Sequence, residues 1–193
     1  WFERAIAICD KIIERGIKIS WSLDNGIRLL TITEELAEKL IKSGCGLISV
    51  GVESGNKEIM HRVKKPLTLD GLYKKMEMMQ KYPEIYVKGN FIVGFPFETY
   101  DQLQDTFRVA SEIDFDWRIF SIYSPLVGTE AMNYFDEETR DEINFSENSY
   151  GKIEMVADGY KDKQDFYNDV YLHNLKTNFL NNPNYLGRRM GKN

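Results

Sequence analysis

Hydrophobic and polar positions change period in a regular order along the first two thirds of the chain. Ala5, Ile6, Ile8, Cys9, Ile12 and Ile13 recur at helical spacing over 2–15, and Gly16 follows as a stop. Ile17 to Leu23 alternates with period two and predicts a strand. Thr31 and Glu34 are spaced as a capping box before a helix with Leu36, Ala37, Leu40 and Ile41 inward, ending at Gly44. Leu47 to Val52 is a short apolar run of the buried-strand kind. A broken helical stretch then carries Ile59 and Met60, and Thr68 caps a helix with Leu72, Tyr73, Met76 and Met79 inward. Tyr86 to Val93 predicts the third strand. Thr99 and Gln102 form a second capping box, before a helix burying Leu103, Phe107, Ala110 and Ile113. Arg118 to Tyr123 predicts a fourth strand, ending before Pro125. Four such alternations imply parallel strands joined by helical crossovers. Periodicity does not decide between an open sheet and part of a barrel.

The rhythm stops after about residue 130. Residues 136–149 are strongly acidic and read as a solvated stretch. A last helix is expected over about 162–180, with Phe166, Val170, Tyr171, Leu175 and Phe179 near one face, before a polar end. The chain is thus expected to divide into an α/β unit over 1–130 and an acidic, then helical, segment over 131–193.

The whole chain has 193 residues and a net charge of −5, which disfavours wholesale binding to a phosphate backbone. No apolar run approaches the roughly 20 residues of a membrane-spanning helix. Cys9 and Cys45 are too few and too far apart for a disulfide scaffold or a thiolate metal site. Both read as small buried hydrophobes, and a reducing cytoplasm is the expected compartment. The chain begins at Trp1 within a helical pattern, so it reads as a piece of something longer.

In parallel α/β folds ligands bind beyond the carboxyl ends of the strands. The second strand runs into Gly51-Val52-Glu53-Ser54-Gly55, where Glu53 reads either as an acceptor for a ribose diol or as an ordinary turn or cap residue. The third runs into Gly89-Asn90-Phe91-Ile92-Val93-Gly94-Phe95-Pro96-Phe97-Glu98-Thr99, where Glu98 reads as structural. The fourth ends in Tyr123-Ser124-Pro125-Leu126-Val127-Gly128-Thr129. Asp24 and Asn25 read either as catalytic or, the favoured reading, as shaping a turn with Gly26, and His61 and His173 lack partners for a zinc site or a nucleophile pair.

Taken in order, these three strings resemble the later half of a radical S-adenosylmethionine core, and are most similar to the branch that often follows a cobalamin-binding domain. The resemblance covers about residues 1–130. It implies a partial (β/α) TIM-like barrel with four parallel strands and a helical tail, and S-adenosylmethionine as cofactor. Glu53 would hold the ribose hydroxyls. The Gly89–Gly94 strand, with Asn90 and Ile92, would lie against the adenine, and backbone near Tyr123 would touch its edge. Ser22, or Arg62, Lys64 or Lys65, would approach the methionine carboxylate. The family's 4Fe–4S cluster sits on a CxxxCxxC loop that this chain lacks. The resemblance therefore implies a fragment whose cluster loop, and any cobalamin domain, belong to an upstream part of the parent protein. The first strand's edge would then be exposed, inviting self-association or cover by the tail helix. The competing reading is a cluster-free nucleotide-binding or scaffolding module without catalysis.

Overall fold

The computed structural model describes residues 2–65, 67–125, 128–135, 137, 140, 158–180 and 182. The acidic stretch expected over 136–149 and the polar end lie almost wholly outside them. Four strands, β1 (Trp21–Ile27), β2 (Cys45–Glu53), β3 (Tyr86–Val93) and β4 (Trp117–Ile122), form one sheet in sequence order, every pair parallel. The helices are α1 (Phe2–Glu14), α2 (Glu34–Lys42), α3 (Lys57–Arg62), α4 (Leu69–Met79), α5 (Tyr100–Glu112) and α6 (Lys163–Leu175). The expected α/β architecture with four parallel strands and a helical C-terminal region is what the chain adopts.

β3 shows how the sheet is built. Val87, Gly89, Phe91 and Val93 are buried, while Tyr86, Lys88, Asn90 and Ile92 between them are half-buried. The first set joins Phe107, Val109, Ala110, Ile113 and Phe115 in the core, so that face carries the helices. The other face is more polar, with Asp24, Ser49, Lys88, Asn90 and Ser121 distributed over the four strands. One covered face and one polar, concave-side face are what a barrel opened along its length presents.

Three local expectations are corrected. β1 starts at Trp21, not Ile17, because its partner β2 starts at Cys45; the Trp21 amide donates to Gly44 O, and Gly44 takes φ +91. Ile17 and Ile19 lie before the strand, 45% and 46% exposed. The polar triplet Asp24-Asn25-Gly26 is no terminal turn but a bulge within β1: Leu23 pairs with Ile48, and Ile27 already with Val50. The cap of α2 is Thr33, whose Oγ1 accepts from Leu36 N, while Thr31 closes a short 3-10 turn over Leu29–Thr31. The Thr99–Gln102 capping box of α5 forms as expected.

The tail helix lies at the far edge of the sheet from β1. α6 buries Phe166 and Val170, and a π-helical turn over Lys176–Leu180 carries Thr177 and Asn178 inward. Tyr171 and Phe179, expected near the buried face, are exposed: Tyr171 follows the buried Val170 on the outer side of α6, and the π turn moves the buried stripe to Thr177 and Asn178 in place of Phe179. The Asn178 side chain accepts from Arg118 N and donates to Arg118 O, each at 2.8 Å. An amide side chain thus pairs with β4 as another strand would. Among the described residues, α6 and the π turn pack beside β4 and not beside β1.

Candidate functional site

The site is set by what happens at the ends of β2 and β3. The pairing of β2 with β3 slips between Gly51 and Glu53, so Glu53 opposes Phe91 and takes φ +71. A left-handed conformation costs a non-glycine residue about 1–2 kcal/mol, so it persists only where the surroundings enforce it. The half-buried Glu53 carboxylate accepts from Lys65 Nζ at 2.8 Å. The pair lies over Gly51: a Cβ there would stand 2.8 Å from Glu53 Oε1 and 3.0 Å from Lys65 Nζ. Glycine at 51 is therefore what leaves room for the carboxylate on the open face of the sheet.

A cavity of about 520 Å³ opens at this point, and Glu53, Lys65, Gly51, Asn90, Ile92 and Ser121 are among its lining residues. Asn90 donates from Nδ2 to Ser49 Oγ at 2.7 Å, which fixes its amide on the open face. Ile92 and Ile119 supply an apolar wall. Asn25, Gly26, Ile27 and Arg28, from the bulged end of β1, close the opposite side.

Beyond β3 the chain turns at Gly94, φ +79. Glu98 holds the turn: its Oε2 accepts from Gly94 N at 2.6 Å and Phe95 N at 3.3 Å. The side chain is buried, Oε1 has no partner, and burial pushes its pKa up to about 7 against the two amide hydrogen bonds. Its geometry fits a structural role. Tyr123, after β4, donates its amide to Val93 O at 2.7 Å and sets its ring 5.0 Å from Phe95. Tyr123, Phe95, Phe97 and Tyr134 line a second cavity of about 980 Å³ with Arg62 and Lys64.

Of the residues expected to form the site, the structure brings Glu53, Asn90 and Ile92 into one cavity. Gly94 and Tyr123 stand at neighbouring strand ends. Gly89 faces the other way: a Cβ there would meet the Phe115 ring at 2.8 Å, so its missing side chain admits the protein's own aromatic ring and only its backbone faces the sheet's edge partners. Ser22 lies lower on β1, donating to Asp24, and is not in the cavity wall. Asp24 in turn lies 3.6 Å from Lys88. Asp24 and Asn25 of the bulge carried an open reading, catalytic or turn, while Arg28 was not singled out as a site residue.

These donors suit an adenosine: a carboxylate acceptor for a diol, an apolar wall, and a glycine that keeps the space clear. They do not suit an iron–sulfur cluster. Cys9 and Cys45 are both buried free thiols, and no three metal-ligating side chains converge among the described residues.

The sequence profile of the Radical SAM superfamily matches residues 2–110. The chain belongs to that superfamily. An uncharacterised methyltransferase of Pyrococcus horikoshii is 30% identical over 132 residues, 68% of this chain and 28% of that protein. A tRNA-2-methylthio-N(6)-dimethylallyladenosine synthase of Thermosipho africanus is 33% identical over 111 residues, 56% of this chain and 25% of that one. The chain thus spans about a quarter of the length of these curated relatives. Among solved structures, coproporphyrinogen III oxidase of Escherichia coli, a radical SAM enzyme, shares the fold with a TM-score of 0.56 and 15% identity, over 88% of this chain and 36% of that chain. The radical S-adenosylmethionine methyltransferase TsrM of Kitasatospora setae gives a TM-score of 0.51 and 16% identity, over 61% and 24%.

Proposed function

We propose that this radical SAM chain forms the adenosine-binding side of the barrel in a cytoplasmic methyltransferase or oxidoreductase. The observation that carries the reading is the convergence of Glu53, Asn90 and Ile92 on one cavity at the carboxyl ends of parallel strands. Glu53 accepts the ribose hydroxyls, with its carboxylate aimed by the Gly51–Glu53 slip. Asn90 and Ile92 form the surface under the adenine, and backbone at Gly94 and Tyr123 meets its edge. S-adenosylmethionine, when bound, supplies the adenosyl group for radical chemistry; the residues here bind it, orient it and shield it from water.

The cluster cysteines are absent from these 193 residues and are assigned to a further segment of the parent protein. A cobalamin-binding domain in that parent belongs to the same proposal. The two-cysteine count also favours a second reading, a cluster-free nucleotide-binding or scaffolding module. The two separate on one experiment: the longer parent protein, reconstituted anaerobically with iron and sulfide and supplied with S-adenosylmethionine and a reductant, yields 5′-deoxyadenosine on the first reading and none on the second. Glu53→Ala in that protein weakens S-adenosylmethionine binding; unchanged affinity removes Glu53 from the ribose site.

A further inference from the structure

The cavity beside Glu53 contains a cation that nothing in the fold uses. Arg28 follows β1 immediately and lines the same cavity as Glu53 and Lys65. It also lines a smaller one of about 280 Å³ with Leu29, Leu30, Val50 and Lys65. Its backbone is fixed: its carbonyl accepts from Thr31 N at 2.9 Å and from Thr31 Oγ1 at 2.7 Å. Its guanidinium has no hydrogen bond, ion pair or ring contact among the described residues. The other basic residue of the cavity, Lys65, is neutralised by Glu53. Arg28, Lys65 and Glu53 therefore leave one uncompensated positive charge there, in a chain whose net charge is −5.

The shape of β1 brings this charge to the cavity. The Asp24-Asn25-Gly26 bulge shortens the path along the sheet, and Gly26 at φ +82 turns the chain toward β2. A Cβ on Gly26 would lie 4.0 Å from Gly51 N, so the bulge closes down on the strand that carries Glu53. An exposed arginine is ordinarily a solvated one. Arg28 differs in standing at a cavity wall, at the end of a bulged strand, with its backbone held and its planar fork of donors unclaimed. That fork matches a carboxylate or a phosphate group in a two-point contact.

We infer that Arg28 is an anchoring residue for an oxyanion, a carboxylate or phosphate group carried by the substrate, bound in the cavity that the adenosine-binding Glu53 also lines. The inference rests on the proposed function only for the identity of its neighbour. Arg28 selects the substrate by charge and sets its distance from the adenosyl group, and Lys65 stays with Glu53.

The test uses the whole chain, with malonate and inorganic phosphate as probes. The Arg28 Nε–H resonance is followed by NMR during each titration, and binding of S-adenosylmethionine and of 5′-methylthioadenosine, which has no carboxylate, is measured by calorimetry. At least one anion shifts the Arg28 resonance to saturation. Arg28→Gln weakens that anion about tenfold or more, as loss of a charge-assisted two-point contact requires, while Lys65→Gln, which lowers the cavity's charge equally but leaves the fork in place, weakens it less and still lets the Arg28 resonance shift to saturation. Arg28→Lys, which keeps the charge without the fork, restores part of the affinity. Both nucleosides bind Arg28→Gln as they bind wild type. No saturable shift with either anion overturns the inference. So does an Arg28→Gln loss confined to S-adenosylmethionine, since the bound carboxylate would then be the cofactor's own. Failure of 5′-methylthioadenosine to bind wild type counts against the adenosine reading and leaves the anion result standing. The side chain is exposed, so an unchanged melting temperature confirms that the variants fold.

Discussion

The two edges of the sheet are finished in opposite ways. On β4, Asn178 supplies the donor and acceptor that a fifth strand would have offered to Arg118, and Asn182 donates to Asp116 O at 2.9 Å. Phe166 and Val170 of α6 extend the core over that side. Arg118 adds a further tie, its buried guanidinium donating to Ala110 O and Ile113 O at the carboxyl end of α5. On β1, the strand pairs with β2 alone among the described residues; Ile8 lines a largely apolar hollow of about 270 Å³ beside α1 and α2, and Ile17 and Ile19 stay exposed before the strand. A sheet edge is a template for pairing unless it is blocked. One edge is closed by side chains that bond to its backbone, and the other, among the described residues, keeps its pairing capacity and its apolar surface.

The comparison can be broken most directly by unfastening the closed edge. Phe166→Ala removes a fully buried ring and is expected to cost about 3–5 kcal/mol, read as a lower denaturant midpoint with faster hydrogen exchange in β4 than in β2. Equal effects on both strands would mean that the tail is not specific to its edge.

The closed side also holds the molecule's pH-sensitive carboxyl. Asp158 N donates to Glu98 O, and Thr99 bridges to Asp158, so the Glu98 turn is tied to the chain that leads into α6. Glu98 has its pKa raised from an ordinary 4.5 to about 7 in the fold, so the unfolded chain ionises first as pH rises. The contribution of Glu98 to stability is fully present below about pH 4.5, falls through pH 7, and then levels; a shift of this size corresponds to up to about 3 kcal/mol. Glu98→Gln keeps an acceptor for Gly94 and Phe95 and should flatten that part of the stability–pH curve. A variant with the wild-type slope would place the titrating group elsewhere.

Asn178→Ala should cost about 1–3 kcal/mol, the usual penalty for leaving buried backbone groups unpaired. The effect should localise to Arg118 and its neighbours by hydrogen exchange. The smallest stability change belongs to the open edge: Ile19→Lys should alter folding by no more than about 0.5 kcal/mol, as for other surface changes. It should nonetheless lower the mass measured by light scattering for the isolated chain, because a charge now stands beside the edge through which self-association is expected. A monomeric wild-type chain would show that the open edge is protected some other way.

The same contrast explains what could be read from the residues. β3, its turn and the Thr99–Gln102 cap were legible because each depends on near neighbours: alternation, a glycine turn and a three-residue cap spacing. β1 was displaced by four residues at its start because its limits are set by where β2 begins, a partner 24 residues away in register. Thr33 took the cap from Thr31 because Thr31 was drawn into the turn after Arg28. The inward face of the tail was misread past Val170 because the π turn follows from the match of Asn178 to β4, a tertiary contact. Glu53, Asn90 and Ile92, which the structure places along one cavity, stood out in the strings at strand ends. Gly89 was assigned to the wrong face for its missing side chain, since the burial phase of β3 depends on Phe115. Arg28 had no local mark, because its significance arises only when the bulge brings β1 against Gly51.

On the proposed function, the cavity lined by Glu53 holds an adenosine. Calorimetry of the 193-residue chain with 5′-methylthioadenosine tests it without a cluster. The account predicts saturable one-site binding that Glu53→Gln weakens about tenfold to a hundredfold, the loss of one or two charge-assisted hydrogen bonds to the ribose diol. Equal affinity in wild type and Glu53→Gln would contradict it.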